Sequence, residues 1–314
     1  MRERSLGSSG LRSSELCLGT WGLSGEAYGP VSEEEARAVL ERAVALGITS
    51  FETASSYARG KVESWLGEVL AAQPGALVFT KWGTDREPRP PRKDFGRDFL
   101  ARTADASLER LGSGARVVAL LHNPSLRALQ AGEATGYLEE LRAAGRIASW
   151  GVSAGSLEVA QASLDAGAPL LSISYNLLEV GLLRALSRRL ETEGQGLLVH
   201  SVLAYGLLTG RWTHGQTFGF GDHRAERWPG STLRARLRHL DALRPLVSGE
   251  VPSLRAAALR FALTPDVVSA AVIGPHSTAQ LDQLVRDAQP ERPYFPEQKL
   301  SGLEGRLSHL GIPR

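Results

Sequence analysis

The chain has 314 residues, 42% hydrophobic and 22% charged, which is enough apolar material for a large core and excludes a disordered or fibrous composition. With 36 basic against 34 acidic residues the net charge is +2, so no basic field for nucleic acid is present. Cys17 is the lone cysteine and excludes an internal disulfide, Met1-Arg2-Glu3-Arg4 leads into no secretory signal, and no apolar run approaches the ~20 residues that span a bilayer, so a soluble cytoplasmic protein without membrane partners is expected.

In chain order, residues 2–15 hold Leu6-Gly7-Ser8-Ser9-Gly10-Leu11, a Gly/Ser turn that predicts a hairpin capping one end of the domain. Residues 16–20 read as the first strand. A helix follows, opened by Ser32 with Glu35 at capping-box spacing, carrying Ala36, Val39, Leu40, Ala43 and Val44 at helical period and stopped by Gly47. Strands are then predicted at 48–52, 77–81, 117–122, 147–153, 170–175, 197–201 and 267–273. Helices are predicted at 62–72, 97–111, 135–144, 157–166, 182–193 and 278–288. Eight strands, seven of them each feeding a helix, mean parallel βαβ units, and eight units in ~300 residues is the size of a (β/α)8 barrel, here one domain over 1–314. A doubly wound open sheet is the alternative, but no G-x-G-x-x-G follows the first strand. Residues 205–231 break the alternation as a long Gly-rich loop with Trp212, Phe218, Phe220, His223 and Trp228. Loops of that length are usually functional, and this one follows strand seven.

Three polar residues stand where apolar strands run out. Tyr57 lies just past Ile48-Thr49-Ser50-Phe51, Lys81 ends Ala76-Leu77-Val78-Phe79-Thr80, and His122 ends Val117-Val118-Ala119-Leu120-Leu121. Singly, each is ordinary: a surface phenol, a lysine reaching water, a histidine opening a turn. At the C-terminal ends of strands in one barrel they would face a common mouth and form a proton-donating site. The aromatic residues of the loop after strand seven, with Trp21, Trp82 and Tyr28, indicate a partly apolar pocket.

Gly47-Ile48-Thr49-Ser50-Phe51-Glu52-Thr53-Ala54-Ser55-Ser56-Tyr57, followed by Glu63 and Leu66-Gly67, resembles the signature of aldo-keto reductases. Thr80-Lys81, Leu120-Leu121-His122-Asn123-Pro124, Gly151-Val152-Ser153, Tyr175-Asn176-Leu177-Leu178, Gly206-Leu207-Leu208-Thr209-Gly210 and Val272-Ile273-Gly274-Pro275 occur in that family's order. The resemblance implies a (β/α)8 barrel that reduces a small-molecule carbonyl with NADP(H), NAD(H) not being excluded, and needs no metal. It makes Tyr57 the general acid. A free phenol has a pKa of ~10, and an ammonium ~4 Å away is worth up to ~4 kcal/mol at an effective dielectric of 20, so Lys81 is expected to lower it. Glu52, an aspartate in most of the family, would hold Lys81, and His122 would donate to or orient the carbonyl oxygen.

The same resemblance points to Thr20, Trp21, Ser153, Ser172, His200, Ser201, Leu203, Gly274, His276, Ser277 and Gln280 for the cofactor. Several depart from the family's pattern. Ala154 and Ser172 replace an asparagine and a glutamine that hold the nicotinamide carboxamide; His200 replaces a stacking aromatic ring. His276 stands where an arginine grips the adenosine 2′-phosphate, and Leu284 where an asparagine binds adenine. Ser277 and Gln280 have capping-box spacing, which serves equally a plain helix cap and an anion site. With its cofactor contacts altered and its proton-transfer trio kept, the chain reads as a reductase. The alternative is a nucleotide-binding regulatory subunit, or a protein of non-redox proton chemistry, without hydride turnover.

Overall fold

The computed structural model describes residues 1–288, 294 and 295, so the expectation of one domain over 1–314 takes in residues beyond those described. Eight parallel strands close into a barrel: β1 (Leu16–Gly19), β2 (Ser50–Ala54), β3 (Ala76–Trp82), β4 (Ala115–His122), β5 (Ser149–Ser153), β6 (Leu170–Ser174), β7 (Gly196–His200) and β8 (Ala270–Ile273). Each pairs with its neighbour in sequence. The ring closes where β8 meets β1, with Val272 opposite Cys17 and Ile273 opposite Leu18. The expected (β/α)8 architecture is therefore observed.

Alternate strand residues fill the interior. Cys17, Leu77, Phe79, Val118, Leu120, Leu170, Leu198, Ala270 and Val272 form one buried cluster inside the barrel, and the other face of each strand joins the larger core under the helices. Strands buried on both faces read as continuous apolar runs, which is why they are detectable in the sequence. The period of two that points Leu77 and Phe79 inward also points Lys81 inward, one layer nearer the mouth.

The N-terminal hairpin, Glu3–Ser5 paired with Arg12–Ser14, plugs the opposite end, its Leu6 and Leu11 belonging to the interior cluster. Its turn fits tightly against the start of β7: Ser8 N–H donates to Gly194 O at 2.7 Å, and a Cβ on Gly7, at φ +57°, would lie 2.3 Å from that oxygen. Only glycine fits there.

Several boundaries move for local reasons. The expected strand at 48–52 is observed at Ser50–Ala54, because Ile48 N–H donates back to Ala43 O and closes the end of helix Glu33–Ala45. The expected strand at 267–273 begins only at Ala270, since Val268 N–H turns back to Pro265 O. The stretch 205–231 is not one open loop. It contains a 3-10 segment, Ala204–Thr209, and a short helix, Arg224–Arg227. Two helices unread in the sequence follow, Gly230–Leu243, which begins at its end, and Leu254–Leu263. No helix among the described residues is long and apolar enough to cross a membrane.

Candidate active site

Glu52, Tyr57, Lys81 and His122 all line one cavity of about 700 Å³ at the C-terminal mouth of the barrel. Glu52 is inward-facing on β2, opposite Gly19 of β1 and Phe79 of β3. A Cβ on Gly19 would lie 2.7 Å from Val272 Cγ1 and 3.3 Å from Ile273 O, so only glycine fits beside β8 there, and Glu52 Oε2 would be in ordinary contact with it at 3.7 Å. Lys81 Nζ is in direct ion-pair contact with Glu52 Oε1, and both side chains are buried.

Tyr57 follows β2 in a tight turn whose next residues, Ala58 and Arg59, hold φ of 45° and 55°. Left-handed backbone at two consecutive non-glycine residues is strained, and it sets the phenol over the mouth. The Lys81 ammonium lies 5.0 Å from the centre of the Tyr57 ring, and the His122 ring meets Tyr57 edge-on at 6.3 Å and 87°. The three strand-end residues thus converge.

Burial dominates their titration. It pushes the Tyr57 phenol up, with Tyr28 and Tyr205 adding to the rise. The lowering expected from Lys81 is opposed by that desolvation, and the phenol stays protonated in the free protein. Burial pulls Lys81 down, to about 7; the Cys17 sulfur opposes the fall and Lys93 adds to it. His122 lies well below its ordinary value because of burial, then Lys81, Lys93 and His200. It is a neutral imidazole at neutral pH.

A short hairpin after β3, Thr84–Asp85 paired with Arg92–Lys93, reaches over this group. Thr84 Oγ1 lies 3.3 Å from His122 Nδ1 and accepts from Lys93 Nζ at 2.8 Å, and Lys93 Nζ also donates to His122 O at 2.7 Å. Neither Thr84 nor Lys93 stands out as functional in the sequence. They sit in a Pro/Arg-rich stretch without periodicity, and their only signal is closeness to the end of β3.

Of the residues expected to hold cofactor, Trp21, Ser153, His200, Ser201, Leu203, Gly274, His276 and Gln280 line the same cavity. Thr20, Ser172 and Ser277 are not among its lining residues. Ser172, opposite Ser153 on β6, is buried, and its short side chain stops below the cavity floor. Ser277 is a helix cap: its Oγ accepts from Gln280 N–H at 3.3 Å, and Gln280 Oε1 takes the His276 N–H at 3.0 Å. Those two amides are thereby withdrawn from any anion. His200 Nδ1 lies 3.0 Å from Ser201 Oγ, and burial and Lys81 push the ring down to about 3. His276 packs on Tyr28 at 4.6 Å and is lowered by burial and Arg224, so it is no substitute for an arginine at neutral pH. Trp82 does not face the cavity; it is fully buried and donates to Ser107 Oγ at 3.0 Å.

The strap after β7 closes over the loop after β1. His223 N–H donates to Ala27 O at 3.0 Å, Tyr28 bridges to Asp222, and the Trp21 and His223 rings lie 4.6 Å apart. Arg224 is forked onto Asp222 and lies over Tyr28. Arg224, Arg211 and Arg255, also unread in the sequence, line the cavity on this β7–β8 side.

Residues 15–291 match the model of the aldo/keto reductase family. The chain is 30% identical to pyridoxal 4-dehydrogenase of Microbacterium luteolum, covering 90% of this chain and 92% of that one. It is 29% identical to L-glyceraldehyde 3-phosphate reductase of Escherichia coli K12, covering 91% and 87%. Among solved structures, a glycerol dehydrogenase from Gluconobacter oxydans superposes with a TM-score of 0.83 over 99% of this chain and 97% of that one, at 23% identity, a likeness of fold. With its closed barrel, these relatives and a family match over nearly the whole described length, the chain belongs to the aldo/keto reductase family.

Proposed function

We propose that this protein is an NADP(H)-dependent oxidoreductase that reduces an aldehyde or ketone to the alcohol, with Tyr57 as general acid. The observation that carries the reading is the grouping of a protonated phenol, a buried ammonium–carboxylate pair and a neutral imidazole at one cavity mouth.

The cavity suits a dinucleotide. Gly22 leaves open the space where a Cβ would meet His276 Nε2 at 3.2 Å. Trp21, Ser153 and His200 would hold the nicotinamide end, and Arg211, Arg224 and Arg255 the phosphates. Arg255, held by Asp287 at 2.6 Å and bonded to Gln283, is the better-ordered cation for a 2′-phosphate than His276. When bound, the nicotinamide supplies hydride to the carbonyl carbon.

The protein's own residues handle the oxygen. His122, neutral, donates an N–H to the carbonyl oxygen and orients it towards Tyr57. As negative charge develops there, the phenol proton moves to it. The phenolate left behind faces the Lys81 ammonium, and opposite charges ~4 Å apart gain about 4 kcal/mol at an effective dielectric of 20. Glu52 keeps Lys81 charged against burial. Lys81 thus acts once charge appears on the phenol, which reconciles its role with the high resting value of Tyr57.

The test is oxidation of NADPH by the purified protein with a generic aldehyde, beside Tyr57→Phe. Wild type should turn over, and the phenylalanine variant should lose at least ~10³-fold in kcat while binding NADPH nearly as well. Equal turnover by the two proteins removes Tyr57 from its role. Tight NADPH binding without turnover by wild type supports the regulatory, nucleotide-binding reading instead.

A further inference from the structure

The cavity wall is electrostatically one-sided. Lys81, Arg86, Lys93, Arg211, Arg224 and Arg255 line it, and among the described residues Glu52 is the one carboxylate that does. Three of these cations are neutralised locally: Lys81 by Glu52, Arg86 by Glu26 at 2.8 Å and Arg224 by Asp222 at 2.6 Å. Arg255 is paired with Asp287 and stands with Arg211 on the β7–β8 side, where the dinucleotide phosphates account for it.

Lys93 is left over. It stands at the other side of the mouth, on the hairpin after β3, and is exposed at the rim. Its ammonium donates only to neutral acceptors, His122 O at 2.7 Å and Thr84 Oγ1 at 2.8 Å. Among the described residues, no carboxylate forms an ion pair with it; Asp85 and Asp94 on the same hairpin both go to Arg92. An ammonium has three N–H donors and two are spent on these acceptors, so one remains. The two bonds fix the head beside His122, and its charge is felt there: Lys93 lowers the basicity of both His122 and Lys81. Burial lowers Lys93 itself to about 8, so it is still charged at neutral pH, and a held positive charge that opposes the charge states around it, with no counter-ion among the described residues, needs another explanation.

We propose that Lys93 is the anion-binding subsite for the substrate, and that the substrate is a carbonyl compound carrying a carboxylate or phosphate within a few bonds of its reacting carbon. The inference rests on the reductase reading and specifies its substrate class. The short span comes from connectivity: Lys93 is bonded to the backbone oxygen of His122, the residue that orients the carbonyl. Arg86, a second cation on the same hairpin side, raises the local positive potential although its own partner is Glu26. An anionic group seated on Lys93 fixes the distance from which the carbonyl presents its oxygen to Tyr57 and His122, so the binding energy is used for orientation.

The experiment compares matched substrates with NADPH: succinic semialdehyde against butanal for carboxylate, and glyceraldehyde 3-phosphate against glyceraldehyde for phosphate. The quantity read is the ratio of kcat/KM, charged over neutral, in wild type, Lys93→Met and Lys93→Arg. Using the ratio removes any general disturbance of His122 through Thr84. We expect a ratio of about tenfold or more in wild type for at least one pair, a fall towards one in Lys93→Met, and recovery in Lys93→Arg. A preference in only the phosphate pair assigns phosphate, and one in both pairs assigns any compact anion. A ratio near one in wild type, or one unchanged in Lys93→Met, overturns the subsite while leaving the reductase intact. Absence of turnover with every aldehyde removes the reductase reading instead. The subsite is then decided by titrating wild type and Lys93→Met with inorganic phosphate, monitored by the fluorescence of Trp21 and Trp212 in the cavity wall: weaker binding in the variant sustains it, and equal binding overturns it.

Discussion

Glu52 carries one methylene more than the family's usual aspartate, and the ion pair with Lys81 forms all the same. Charge should therefore matter more than length. We expect Glu52→Asp to retain activity within about fivefold and Glu52→Gln to lose about tenfold or more, since a buried lysine without its anion gives up its proton and can no longer hold a phenolate. The pH–rate profiles separate the two causes: the glutamine variant should lose activity from lower pH upward, as Lys81, already drawn to about 7 by burial, deprotonates earlier. A glutamine variant that matches wild type at every pH would make Glu52 structural. At the cofactor end, His276 lies below its ordinary value, so the preference for NADPH over NADH should be flat between about pH 7 and 8. We expect Arg255→Ala to reduce it about tenfold and His276→Ala to leave it, as read by fluorescence titration of both nucleotides. Tyr57, Lys81 and His122 are legible in the sequence because each interrupts an apolar run that a barrel must bury. Trp82 misleads because the same run continues one residue further, and the strand's alternation turns its indole away from the mouth into the core.

Between elements, Glu63 is the clearest tie. Fully buried on helix Lys61–Leu70, it accepts from Thr80 Oγ1 of β3 at 2.5 Å, from Ser107 Oγ at 2.6 Å and from the Arg110 guanidinium at 2.6 and 2.9 Å, the last two residues on helix Arg97–Leu111. Trp82 completes it through Ser107. Removing the charge leaves a guanidinium facing the interior, so Glu63→Gln should cost about 2–4 kcal/mol in urea unfolding at 25 °C with little change in KM. A loss below ~1 kcal/mol would mean that Arg110, partly exposed, finds water instead. Such ties are invisible in sequence because their members lie in three separate elements. The helices after β7 are hidden differently. Leu233, Leu237, Leu240 and Leu243 have helical spacing, and Ser253 N-caps Leu254–Leu263 by accepting from Ala256 N–H at 3.0 Å. The Gly-rich aromatic stretch before them masks that spacing, because its composition is that of a loop. The hairpin that carries Thr84 and Lys93 has two residues per strand, too short for any period to register.

At the scale of the molecule, alternation of strand and helix announces the barrel, and Leu6 and Leu11 announce its plug. What no single segment encodes is the ring, which exists only once β8 finds β1. Closing it gathers several imidazoles in a cationic mouth where their rings are buried, at a cost in stability under acid conditions. His200 is drawn down to about 3 and His122 well below its ordinary value, both by burial first. Above the ordinary value near 6.5 both folded and unfolded chains hold these rings neutral, and they add no pH dependence. Below it the unfolded chain takes up protons that the folded chain refuses, so stability must fall as pH falls, and for His200 the loss continues until about pH 3. The slope is at most about 1.4 kcal/mol per pH unit for each ring, and smaller for His200 to the extent that water in the cavity reaches it. We expect the free energy of urea unfolding to decline between about pH 6.5 and 5, before most carboxylates titrate, and His200→Phe to flatten that decline by up to about 1 kcal/mol per unit. A phenylalanine variant whose decline is as steep as that of wild type would show that the His200 ring is protonated within the folded barrel, and that the mouth of the barrel is wetter than its burial implies.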